Sequence, residues 1–162
     1  MSQDPLDSYL EDHFAGATSA IELLDRLAKD HEGEPLAAFA AEIRREVDAD
    51  RATLRALMDR VASGPHPIKE LGARVLEKLS RWKLDRDLTG PLGTFESLEF
   101  LTLGILGKRA LWQVLSSIAD HDSRVGGLDY ENLITRAESQ YLQVEARRLE
   151  LASTALRAEV AK

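Results

Sequence analysis

The chain has 162 residues, 44% of them apolar and 30% charged, a balance that suits one folded domain spanning residues 1–162 and argues against disorder. A formal net charge of -7 repels nucleic acid and anionic lipid, so neither is expected as a partner. There is no cysteine, which excludes disulfides, thiol nucleophiles, iron–sulfur ligation and cysteine-based zinc sites.

The opening MSQDPLDSYLEDH is acidic and lacks the basic patch and apolar core of a secretory signal. No apolar run reaches the roughly 18 residues of a membrane span, because Lys108 and Arg109 interrupt the longest one. A cytoplasmic location is expected. Glycine and proline divide the chain into segments with the helical period, and none alternates in the manner of a strand, so the fold is predicted to be all-α.

The first helix is predicted from about Leu6 to His31, with Leu6, Leu10, His13, Ala17, Ile21, Leu24 and Leu27 on one face. Gly33 stops it and Pro35 opens the second, which runs to about Ser63. The seam of this second helix carries Leu36, Phe39, Ile43, Val47, Asp50, Leu54, Leu57 and Val61. So short a break makes the two helices an antiparallel hairpin. A shorter amphipathic segment, PIKELGARVLEKLSRWKL, puts Ile68, Leu71, Val75, Leu79 and Trp82 inward. Its local basic excess is small and suits a solvated face. After DRDLTGPLG, Thr94 is expected to cap a third long helix reaching about His121. Asp129 opens the last, whose apolar side holds Leu133, Ile134, Ala137, Tyr141, Val144, Leu149, Ala152 and Leu156. The architecture predicted is an up-down-down-up four-long-helix bundle with the shorter helix in its crossover.

The third long helix carries charge where apolar groups are expected. Leu101, Ile105, Lys108, Trp112, Leu115 and Ala119 share one face. Glu99, Leu103, Leu106 and Ala110 form a second strip, and only Thr102, Arg109, Gln113 and Ser116 face water, which marks the helix as the hub of the bundle. An ammonium on the deepest stripe either snorkels to a solvated end or requires carboxylate partners. The partners predicted for a buried ion-pair network with Lys108 are Glu46, Asp50, Glu138 and Glu145, with His13 facing them from the first helix.

Helical hairpins in two halves with inward acids and a histidine resemble the ferritin-like superfamily. The stretches YLEDHFAGATSAIELLDRLAKDHEG and LAAFAAEIRREVDADRATLRALM are similar to the first hairpin of uncharacterised bacterial proteins of that fold. In metal-binding members two helices each supply Glu-x-x-His and two supply a lone Glu. That motif is absent here: Glu46 is followed at the third position by Ala49, Glu96 by Glu99, Glu99 by Thr102, Glu138 by Tyr141 and Glu145 by Arg148. The resemblance then implies a frame in which Lys108 takes the electrostatic place of metal. The alternative is a degenerate iron or manganese site built from His13, Glu46, Asp50, Glu99 and Glu138.

No serine lies in a Gly-x-Ser-x-Gly elbow, and GPLG and GILG lack the Lys-Ser or Lys-Thr of a phosphate loop. The function expected is therefore non-enzymatic and without cofactor, exercised as a homo-oligomer such as a dimer or through a protein partner.

Overall fold

The computed structural model describes residues 4–62 and 90–157. Among them it forms four long α-helices, α1 (Pro5–Asp30), α2 (Pro35–Val61), α3 (Gly90–Ile118) and α4 (Tyr130–Ala155), with a 3-10 turn at Ser123–Val125 before the last. The shorter helix predicted over residues 67–84 lies outside the described residues.

Local chemistry sets the helix ends. Asp4 accepts from the Leu6 amide at 3.0 Å, and Pro5 follows in the first turn, where a missing N–H removes nothing. Gly33, at φ +86°, turns the chain so that Pro35 can start α2. Asp129 caps α4 by accepting from the Asn132 amide at 3.0 Å. Thr94 is not the cap expected of it. Helix α3 begins a full turn earlier at Gly90, so Thr94 sits inside the helix and its hydroxyl donates to the Gly90 carbonyl at 3.0 Å. The GPLG stretch is compatible with this because proline and glycine occupy a first turn whose amides have no helical partner.

The helices pack as two pairs, α1 on α2 and α3 on α4, with α1 also against α3, an arrangement that fits a helical bundle. Their apolar faces make two core clusters. One joins Ile21, Leu24 and Leu27 of α1 to Ile43 and Val47 of α2, Leu98, Leu101 and Ile105 of α3, and Ala137 and Val144 of α4. The other joins Leu10, Leu54, Leu57, Leu111, Trp112, Leu115, Val125, Tyr130 and Leu133. The turn before α4 is pinned to this second cluster: Val125 is fully buried, its carbonyl accepts from the Tyr130 hydroxyl at 2.5 Å, and Arg60 donates to the Gly126 carbonyl at 3.0 Å. Arg124 joins Asp122 at 2.7 Å to Asp4 at 2.5 Å, tying this turn to the start of α1 and holding both carboxyls below their ordinary range.

Helix α3 is less enclosed than its composition suggested. Leu103 is 63% exposed, Glu99 and Ala110 also face outward, and Thr102, expected at the water side, is buried with its hydroxyl on the Glu99 carbonyl at 2.7 Å. The physical reason is that α4 and α1 cover one broad side of α3 and leave the opposite strip uncovered. None of the described helices is long and apolar enough to cross a membrane.

Because Leu98 is fully buried and Ala110 exposed, Leu98→Ala is expected to cost about 2–5 kcal/mol of unfolding free energy, while Ala110→Ser stays within about 0.5 kcal/mol. Urea denaturation of the two variants measures the contrast.

Candidate functional site

Between the two apolar clusters lies one polar layer. Asp50 stands on α2 between Val47 and Leu54, Lys108 on α3 between Ile105 and Trp112, and Gln140 on α4 between Ala137 and Val144. Each occupies a position where its helix otherwise presents a core residue, at alternating steps of three and four residues. Sequence periodicity identifies Asp50 and Lys108 on this basis. The spacing Leu133, Ala137, Gln140, Val144 carries the signal for Gln140 as well, although the apolar character of neighbouring Tyr141 masks it.

The three side chains close a ring of hydrogen bonds. The Lys108 ammonium donates to Asp50 Oδ2 and to Gln140 Oε1, and the Gln140 amide donates back to Asp50 Oδ2 at 3.3 Å. These partners fix the orientation of the amide, since an ammonium accepts nothing and a carboxylate donates nothing. A second cation, Arg136, donates to Asp50 Oδ1 from the rim. The Asp50 side chain is 3% exposed and that of Lys108 12%. Burial pushes the Lys108 amine below its ordinary value, and the attraction and hydrogen bond of Asp50 oppose that shift.

The predicted network is thus brought together in part. Asp50 and Lys108 meet, and Glu46 adds to the field that favours the ammonium. Glu138 and Glu145 belong elsewhere. Glu138 faces Arg109 at 3.5 Å on a half-exposed flank, and Glu145 pairs with Arg148 at 2.8 Å, one turn along its own helix. Both lie on the side of α4 away from Gln140, which is why neither reaches Lys108. Glu99, proposed as a metal ligand, also pairs with Arg148, at 3.2 Å. No group of three or more His, Asp or Glu placed to hold a metal ion occurs among the described residues.

His13 supplies the contribution of α1 to the same level of the bundle, three residues after buried Leu10. It stacks edge-on against Tyr9 with ring centroids 4.7 Å apart, and burial lowers its pKa, with Asp12 opposing. Beside it α1 offers only Gly16, Ala17 and Ala20, while α3 offers Gly104 and Gly107. These small residues leave a cavity of about 210 Å³ bordered by His13, Phe100, Leu101, Leu111 and Trp112, with Asp50 and Lys108 in its wall. Trp112 is fully buried and its indole N–H has no hydrogen-bond partner among the described residues.

A second feature lies on the outside. Leu142, Leu149 and Leu156 recur every seven residues along α4, and Leu92, Leu103 and Val114 every eleven along α3, all between 45% and 65% exposed. Both spacings keep side chains on one helix face.

Two predictions follow from the polar layer. Asp50→Ala leaves two cations facing each other without a carboxylate and is expected to cost about 3–5 kcal/mol. Lys108→Met leaves Asp50 still held by Arg136 and Gln140, so its melting temperature should fall by much less. For His13 the unfolded chain takes up a proton near pH 6.5 and the folded chain only at lower pH, so the unfolded state binds more protons in that window. Stability should therefore fall as pH drops from above 6.5 through the depressed folded value, and His13→Phe should flatten that part of a pH-resolved melting series. Comparison with protein-family models, curated proteins and solved structures finds no match to this chain.

Proposed function

We propose that this protein is a non-enzymatic helical bundle of ferritin-like layout that acts through self-association, two copies meeting by the outer faces of α3 and α4. The observation that carries this reading is the pair of regular apolar stripes on those faces, Leu142, Leu149 and Leu156 on one helix and Leu92, Leu103 and Val114 on the next. A single exposed leucine is ordinary on a protein surface. A seven-residue repeat of them is the pattern by which helices seat against other helices, and antiparallel neighbours that both carry such stripes offer a self-complementary surface. A cytoplasmic location and a single domain over the whole chain belong to the same proposal and rest on the sequence.

The up-down-down-up path is supported by which helix ends share a cluster. Leu10, near the start of α1, packs in the same cluster as Val61 at the end of α2, Leu115 near the end of α3 and Tyr130 at the start of α4. At the opposite end His31, following α1, meets the Thr94 hydroxyl near the start of α3 at 3.0 Å. Such pairings suit α2 and α3 running together, against α1 and α4.

The metalloprotein reading is the weaker one on electrostatic grounds. Asp50, the carboxylate of the polar layer, already faces two cations, and a divalent ion would add to that positive charge.

Sedimentation velocity at about 50 µM should show a dimer that Leu142→Glu/Leu149→Glu converts to monomer with unchanged helicity. A wild-type protein that stays monomeric across that range would rule the association out.

A further inference from the structure

The cavity between α1 and α3 is not used by the association surface, and its wall is unusual for an apolar hollow. Phe100, Leu101 and Leu111 make most of it apolar, and its polar groups are the carboxylates of Asp12 and Asp50 beside the donors His13, Arg51, Lys108 and Trp112. Among the described residues Lys108 gives two hydrogen bonds, to Asp50 and Gln140, of the three an ammonium can give. Trp112 stands one turn further along the same face of α3, and its buried indole N–H has no partner among the described residues. A buried donor left unpaired is a costly feature that native structures rarely keep without a use. Among the described residues Lys108 and Arg136 share the buried carboxylate of Asp50, with Glu46 adding to the attraction at Lys108.

We propose that this cavity is a binding site for a small apolar carboxylic acid, its carboxylate accepting from Lys108 and the Trp112 indole N–H and its hydrocarbon part lying between α1 and α3. The size fits. A dry cavity of about 150 Å³ holds benzene, so about 210 Å³ takes a molecule of roughly ten non-hydrogen atoms. The entrance is made by absence of side chains: Gly104 lies between Phe100 and Lys108 on the cavity face of α3, and a Cβ placed on it meets nothing within 4 Å. Asp12 and His13 stand at the wall on the α1 side, and Arg51 on the α2 side is already paired with Asp48 at 2.8 Å, so Lys108 remains the cation available inside.

The test uses the full chain carrying Trp82→Phe, which leaves Trp112 as its single tryptophan. Octanoate is titrated while the Trp112 indole N–H resonance and fluorescence are followed, and octan-1-ol is titrated in parallel. The expected result is saturable octanoate binding with a Kd below about 1 mM, and octanol weaker by about tenfold or more. Lys108→Met should remove that preference, and Gly104→Leu, which fills the hollow without touching the ion pairs, should abolish binding of both. Absence of a saturable shift, equal affinity for acid and alcohol, or unimpaired binding by Gly104→Leu would each overturn the proposal. Should Lys108→Met fold poorly, the acid–alcohol comparison and the glycine variant still decide it.

Discussion

The carboxylate of Asp50 is the point on which the bundle is aligned. It lies almost fully buried on α2 and takes donors from α3 and α4 at once, Lys108 and Gln140 on one oxygen and Arg136 on the other. Burying an ion is expensive, and here the expense is offset by the donors that converge on both oxygens of the carboxylate. Apolar seams alone tolerate sliding, since a leucine packs nearly as well one turn away. A carboxylate that must meet an ammonium and an amide does not, so three helices are held in one register.

The layer also divides the interior. Above and below it the core is mostly leucine, isoleucine and valine, with Met58, Trp112 and Tyr130 in the second cluster. At its own level α1 contributes a half-buried histidine and a run of small residues, and α3 contributes glycines. The hollow lies at this level because the small residues of α1 and α3 that face each other there leave space beside Asp50 and Lys108. In ferritin-like proteins that bind metal, the middle of the bundle is where carboxylates and imidazoles converge. Here Lys108, and Arg136 from the rim, meet the Asp50 carboxylate at that level.

Inside and outside of α3 thus carry different properties. Its inward face holds the ammonium and the cavity; its outward face, with α4, displays evenly spaced leucines. A helix apolar on both sides looks in sequence like one surrounded by neighbours. Its low amphipathicity has another origin, the coexistence of a core face and an uncovered apolar face, and only exposure tells the two apart.

Helix number within the described residues, their approximate bounds and the seam positions of Asp50 and Lys108 follow from periodicity and from glycine, proline and capping residues, because these are local preferences carried by a few neighbouring residues. The start of α3 was harder to place, since Gly90–Gly93 reads as loop by composition and as a first turn once packed. Which acid meets Lys108 was not local information at all. Glu46, Asp50, Glu138 and Glu145 are equivalent candidates along the chain, and the choice of Asp50 depends on the rotation and register of helices separated by many residues. The same holds for Arg136, which reaches the layer from its rim, and for the cavity, which exists because small residues distant in sequence face each other. Sequence by itself determined where most of the helices form and that Lys108 falls on an apolar seam; tertiary structure decided that it is buried and which charges meet, because pairing energy depends on distances that only the packed bundle sets.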